Sequence, residues 1–74
     1  MYPSQLEPKR FLCSDRDQIY CVEVFKLMRT NQWYFRYIDS SRCYLVPGKP
    51  STNYEAIDEI TKHQHLDFID EVYE

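Results

Sequence analysis

Ile19-Tyr20-Cys21-Val22-Glu23-Val24-Phe25-Lys26-Leu27-Met28, followed after four polar residues by Trp33-Tyr34-Phe35-Arg36-Tyr37-Ile38, is the stretch on which the fold of this chain turns. Both runs are crowded with β-branched and aromatic residues, which fit a pleated, half-buried surface. Arg29-Thr30-Asn31-Gln32 between them has the length of a hairpin loop, so the two runs are expected to pair antiparallel. Strand alternation sets Ile19, Cys21, Phe25 and Leu27 on one face and Tyr20, Val22, Val24 and Met28 on the other. In the second run, Trp33, Phe35 and Tyr37 oppose Tyr34, Arg36 and Ile38. Arg36 is the one charge in that run, and an unpaired charge is costly to bury. Its face, with Tyr34, is therefore expected to be the more open one, and Trp33 and Phe35 are expected in the core.

Working outward, Arg10 to Cys13 reads as a short first strand ending at the turn-forming Ser14-Asp15-Arg16-Asp17. Asp39-Ser40-Ser41-Arg42 breaks the pattern again before Cys43-Tyr44-Leu45-Val46. Together these runs make an antiparallel meander of three strands, or four if Arg10 to Cys13 pairs as well. Pro47-Gly48-Lys49-Pro50 ends the sheet, because proline cannot donate to a strand ladder. Thr52 with Glu55 three residues on has the spacing of a capping box, a helix start in which each side chain satisfies an orphan N–H. At 100° per residue, Tyr54, Ala56, Ile57 and Ile60 gather on one side of that helix, and Glu55, Asp58, Glu59 and Lys62 on the other.

From Leu66 onward a strand would mix Leu66, Phe68 and Val72 with Asp70 and Glu74 on one face. A helix separates apolar from acidic residues cleanly, so the tail is expected to be a second helix after a break near His63-Gln64-His65. The fold class expected is α+β, with the antiparallel sheet at residues 10–46 and a helical part at 52–74. Residues 1–9, interrupted by Pro3 and Pro8, read as an irregular arm, and the 74 residues as a single small domain.

The net charge of −3 is unevenly spread. Residues 1–50 carry eight Lys or Arg against five acids, whereas residues 51–74 carry Lys62 against seven acids. Such asymmetry bears on partner choice and association rate more than on fold. Residues 1–10 contain no apolar leader stretch, and no run approaches the roughly 18 apolar residues of a membrane span, so a cytoplasmic protein is expected. Cys13, Cys21 and Cys43 are odd in number and widely spaced, as in a reduced protein without a disulfide framework.

Catalytic signatures are not found. The single Gly48 excludes a glycine-rich phosphate loop, and the acid pairs Asp58/Glu59 and Asp70/Glu71 fall on expected solvent faces rather than in a cleft. The cysteines lack the close spacing of zinc ligands, and His63 and His65 diverge on a helix. No metal or cofactor is expected. Continuous apolar strands do imply cover on both faces of the sheet. A single helix covers one, which leaves the other to the arm and tail, a second copy of the chain, or another protein. The expected function is thus a non-enzymatic protein-interaction module of inhibitor or adaptor type. Aromatic and arginine side chains dominate interface hot spots, which selects Trp33, Tyr34, Arg36 and Tyr37. Asp58 and Glu59 supply an acidic flank suited to a basic partner surface. The alternative is a sheet-based nucleic-acid binder or transcription accessory, since Trp33 to Tyr37 interleaves aromatics with a base. An isoelectric point near 5.3 weighs against it, because phosphate contacts supply most such affinity.

Overall fold

The computed structural model describes residues 5–73, with side chains from residue 8 onward. Its elements run β1 (Gln5–Asp15), β2 (Gln18–Leu27), β3 (Gln32–Tyr37), β4 (Tyr44–Leu45), α1 (Asn53–Gln64) and β5 (Asp67–Val72). The strands form one sheet in the order β4-β3-β2-β1-β5, antiparallel at every pairing. The architecture is α+β.

The central hairpin forms where its sequence places it. Val24 lies opposite Phe35 and Phe25 opposite Tyr34, and the Asn31 N–H returns to the Leu27 carbonyl at 2.7 Å with Asn31 in the left-handed region, φ 60°. The first strand is much longer than Arg10–Cys13, and the expected irregular arm is strand from Gln5 onward; Met1–Ser4 lie outside the described residues. In the sequence Pro8 reads as an interruption of the arm. It sits instead within a register shift, where Leu6 pairs with Lys26 but Lys9 pairs with Val24. One extra residue on β1 is thereby looped out of the ladder, and a bulge is where a strand tolerates a residue without an N–H.

The expected second helix is also corrected. Residues from Asp67 form β5, an edge strand alongside β1. Here too a bulge explains the misleading pattern. Cys13 pairs with Phe68 and Leu12 with Asp70, which leaves Ile69 as an extra residue. Phe68 and Glu71 therefore share a face at a spacing of three, which imitates helical periodicity in a segment that is extended.

Thr52 caps α1 by accepting the Glu55 N–H at 3.2 Å, while the Glu55 carboxylate accepts the Ser51 N–H at 2.9 Å. The reciprocal bond thus goes one residue beyond the usual capping box. At the other end His65 adopts φ 58°, and its N–H and that of Leu66 both return to the Thr61 carbonyl. This left-handed cap stops the helix at the His63-Gln64-His65 break and turns the chain into β5.

Helix α1 lies over β1, β2 and β5. It presses Ala56, Ile57 and Ile60 onto Phe11, Cys13, Val22 and Val24, with Trp33, Phe35 and Val46 completing the buried cluster. Phe35, 3% exposed, touches both Tyr37 and Tyr44. Truncating it leaves a cavity in the only core among the described residues. Phe35→Ala is expected to destabilise the fold by about 3–5 kcal/mol in urea titration; a loss below about 1 kcal/mol would place Phe35 outside the core.

Candidate functional site

Alternation along each strand puts Arg10, Leu12, Ile19, Cys21, Glu23, Phe25, Leu27, Tyr34 and Arg36 on the face opposite α1, and Leu45 joins them through its pairing with Tyr34. The pairings arrange this face in rows. One runs Val72, Arg10, Glu23, Arg36 across four strands. On one side of it lie Phe25, Tyr34 and Leu45, and on the other Asp70, Leu12 and Cys21.

The middle row is electrostatically closed. Glu23, 8% exposed, accepts from the Arg36 Nε at 3.0 Å and lies 3.6 Å from the Arg10 Nε. Arg36 also donates through Nη1 to the carbonyls of Ile38 (3.3 Å) and Ser40 (3.1 Å). A carboxylate can remain in the middle of a sheet face because two guanidinium groups reach it from adjacent strands. Phe25 beside it is 1% exposed, and the Tyr34 ring stacks on it at 6.4 Å and 17°. The periphery is open: Ile19 is 67% exposed and Leu45 54%.

The residues singled out from the sequence fall in three places. Tyr34 and Arg36 lie together on the helix-free face, Arg36 as a structural clasp as much as a surface charge. Trp33 and Tyr37 lie on the helix side, Trp33 buried beneath Val46 and Tyr37 packed edge-on against Tyr20 and Phe35. Asp58 and Glu59 stand on α1, where Glu59 sits 3.7 Å from the His63 Nε2 and against Gly48, whose φ of 76° shapes the approach to the helix. The structure does not bring Asp58 and Glu59 to the face that carries Tyr34. Sequence reasoning missed Leu45 and Ile19 as exposed apolar positions and Glu23 as the centre of an ion-pair row. The alternation of Glu23 with the Ile19 set, opposite Arg36 in the hairpin, was the available signal.

A second polar cluster ties the helix to the far edge. The Glu71 carboxylate accepts from Lys9 Nζ at 3.0 Å and from the Tyr54 hydroxyl at 2.8 Å, while Lys9 lies over the Tyr54 ring. The Tyr54 and Lys9 hydrogen bonds hold the Glu71 carboxyl below its usual range, and Glu71 in turn raises Lys9 and Tyr54. This arrangement keeps Glu71 ionised and engaged, so it clamps β5 to α1 and β1. The three cysteines are free thiols; burial, helped by nearby Cys21, pushes Cys13 up to about 11, so its thiol stays protonated at neutral pH. No described helix is long and apolar enough to cross a membrane. Comparisons with family models, curated proteins and solved structures found no match to this chain.

Two outcomes follow from these clusters. Arg36→Ala removes the closer partner of Glu23 and is expected to cost about 1–3 kcal/mol in chemical denaturation; no measurable loss would mean that Arg10 alone satisfies Glu23. Because the folded-state pKa of Glu71 is depressed, its contribution is present above the unfolded carboxylate pKa and lost as pH falls through the lower folded value. Glu71→Gln should therefore flatten the acid side of the stability profile in thermal melts from neutral pH downward, and an unchanged slope would place the acid sensitivity on other carboxylates.

Proposed function

We propose that this protein is a non-enzymatic interaction module, of inhibitor or adaptor type, that binds another protein through the helix-free face of its sheet. One observation carries the reading. Among the described residues the five-stranded sheet has a single helix, which covers one face, and the other exposes Leu45 beside the half-buried Tyr34 and Ile19 at the far end of β2. Apolar side chains grouped on an exposed face and bordered by charge are the composition of a protein-contact surface. Tyr34 offers a rigid aromatic anchor, held in place by its stack on Phe25. Asp67 and Asp70 lie on the β5 margin of this face, where they favour encounter with a basic partner and accelerate its association. Nucleic acid is supported less well by the same face, since Glu23 engages both Arg10 and Arg36.

The test exchanges apolar for cationic side chains at the exposed periphery. Ile19→Lys and Leu45→Lys should leave the melting temperature nearly unchanged, because both side chains are solvated in the free protein. Against a partner recovered by crosslinking from the source cell, each should weaken binding by about tenfold or more. Undiminished binding by both variants would remove the sheet face from the interface. Salt-dependent binding to single-stranded oligonucleotides that both lysines strengthen would replace this reading with the nucleic-acid one.

A further inference from the structure

We infer that the outer edge of β5, together with the groove between β5 and α1, takes an extended, positively charged segment of a partner protein as a sixth strand. The inference rests on the interaction-module reading and specifies the chemistry of one contact segment.

The two ends of the sheet are unlike. At one end β4 has only Tyr44–Leu45 before Pro47 and Pro50, which blunt it against further pairing. At the other, β5 runs six residues without proline and, among the described residues, pairs with β1 alone. Its second row of backbone donors and acceptors therefore faces outward, the condition for strand addition. The clamp of Lys9 and Tyr54 on Glu71 fixes this edge against the body of the protein before any partner arrives.

Side chains narrow the choice of occupant. Beside the edge lies a groove of about 260 Å³ lined by Tyr54, Ile57, Asp58, Thr61 and Phe68. It is small for a drug-sized ligand and suited to one apolar side chain of an incoming strand. Phe68 and Ile69, 52% and 45% exposed, extend the apolar strip along the edge. Asp67, Asp70 and Glu71 stand on the strand and Asp58 on the helix wall of the groove, with no cation on β5 itself. Among the described residues neither Asp58 nor Asp67 has an ion-pair partner.

A second copy of β5 is the occupant this charge opposes. Antiparallel self-pairing sets three carboxylates against three more in opposed or diagonal positions, which destabilises the pair, and the bulge at Ile69 bends the edge away from a flat self-match. A flexible segment that alternates apolar with Lys or Arg residues reverses the electrostatic sign. Its main chain pairs with β5, one apolar side chain enters the groove on the helix side, and its cations, on the opposite face, meet Asp67 and Asp70.

The probe is a terminally blocked peptide of about eight residues, long enough to span β5 and alternating valine with lysine or arginine. Amide hydrogen exchange at Asp67–Val72 should slow when it binds, and the double variant Asp67→Lys, Asp70→Lys should weaken it by about tenfold or more. Both substitutions lie on exposed side chains, so the fold is retained. The same peptide N-methylated at alternate residues keeps its charge but loses donors and should not bind. Equal binding by the N-methylated peptide, or no slowing at β5, would reduce the contact to charge attraction and overturn the inference. Ile19→Lys should bind the peptide as the wild type does. If the peptide fails while Ile19→Lys still loses the partner, the edge inference falls and the sheet-face reading stands; the converse result separates them the other way.

Discussion

The fold depends on one crossing. The chain leaves β4 at one edge of the sheet and must enter β5 at the opposite edge, and α1 is the connection. Five strands with spacings of about 4.8 Å span about 19 Å between the outer axes. A helix of twelve residues is about 18 Å long, and α1 packs on β1, β2 and β5, so residues 46–52 make the first part of the traverse past β3. Its caps are Thr52, after the proline-bounded loop, and His65, where the chain reverses into β5. Having crossed, the helix can cover one face only. The core, the open face and the free edge all follow from this.

Burial divides accordingly. On the helix side, apolar residues from three strands meet Ala56, Ile57 and Ile60, and the buried Cys13 thiol remains inert within that layer. On the opposite side the described residues form no second layer, yet the centre of that face is closed to water at Phe25 and Glu23. Glu23 is tolerated there because Arg10 and Arg36 meet it in register from the flanking strands, a cross-strand version of charge pairing that also pins β1, β2 and β3 side by side. The residual openness lies at the periphery, at Ile19 and Leu45, which is where the face has contact area to offer without disturbing its own ion pairs.

Much of this was legible in the residues. The central hairpin, its two faces and the helix from its cap to its break all follow from alternation, a polar loop and capping chemistry, which are local. Two errors share one cause. Pro8 and Ile69 each mark a bulge, and a bulge shifts the period of a strand by one residue, so β1 looked shorter than it is and β5 looked helical. Bulges are settled by the neighbouring strand, which a single segment does not reveal. The candidate site was legible in part for a similar reason. Tyr34 and Arg36 share a face by local parity, whereas the distance of Asp58 and Glu59 from that face depends on where the helix lands after its crossing. The ion-pair row needed the β1–β2 register, which is set by the turn that pairs Asp15 with Gln18 and runs unbroken to Arg10 and Glu23.

The central claim, that one helix covers one face and leaves the other accessible, is tested most directly by side-chain NMR in the presence of a soluble gadolinium chelate. The methyl signals of Ile19 and Leu45 should broaden strongly at every protein concentration, while those of Val22, Val24 and Ile60 stay sharp. Protection of Ile19 and Leu45 equal to that of Val22, already at the lowest protein concentration, would mean that the second face is closed within the monomer and would contradict the account.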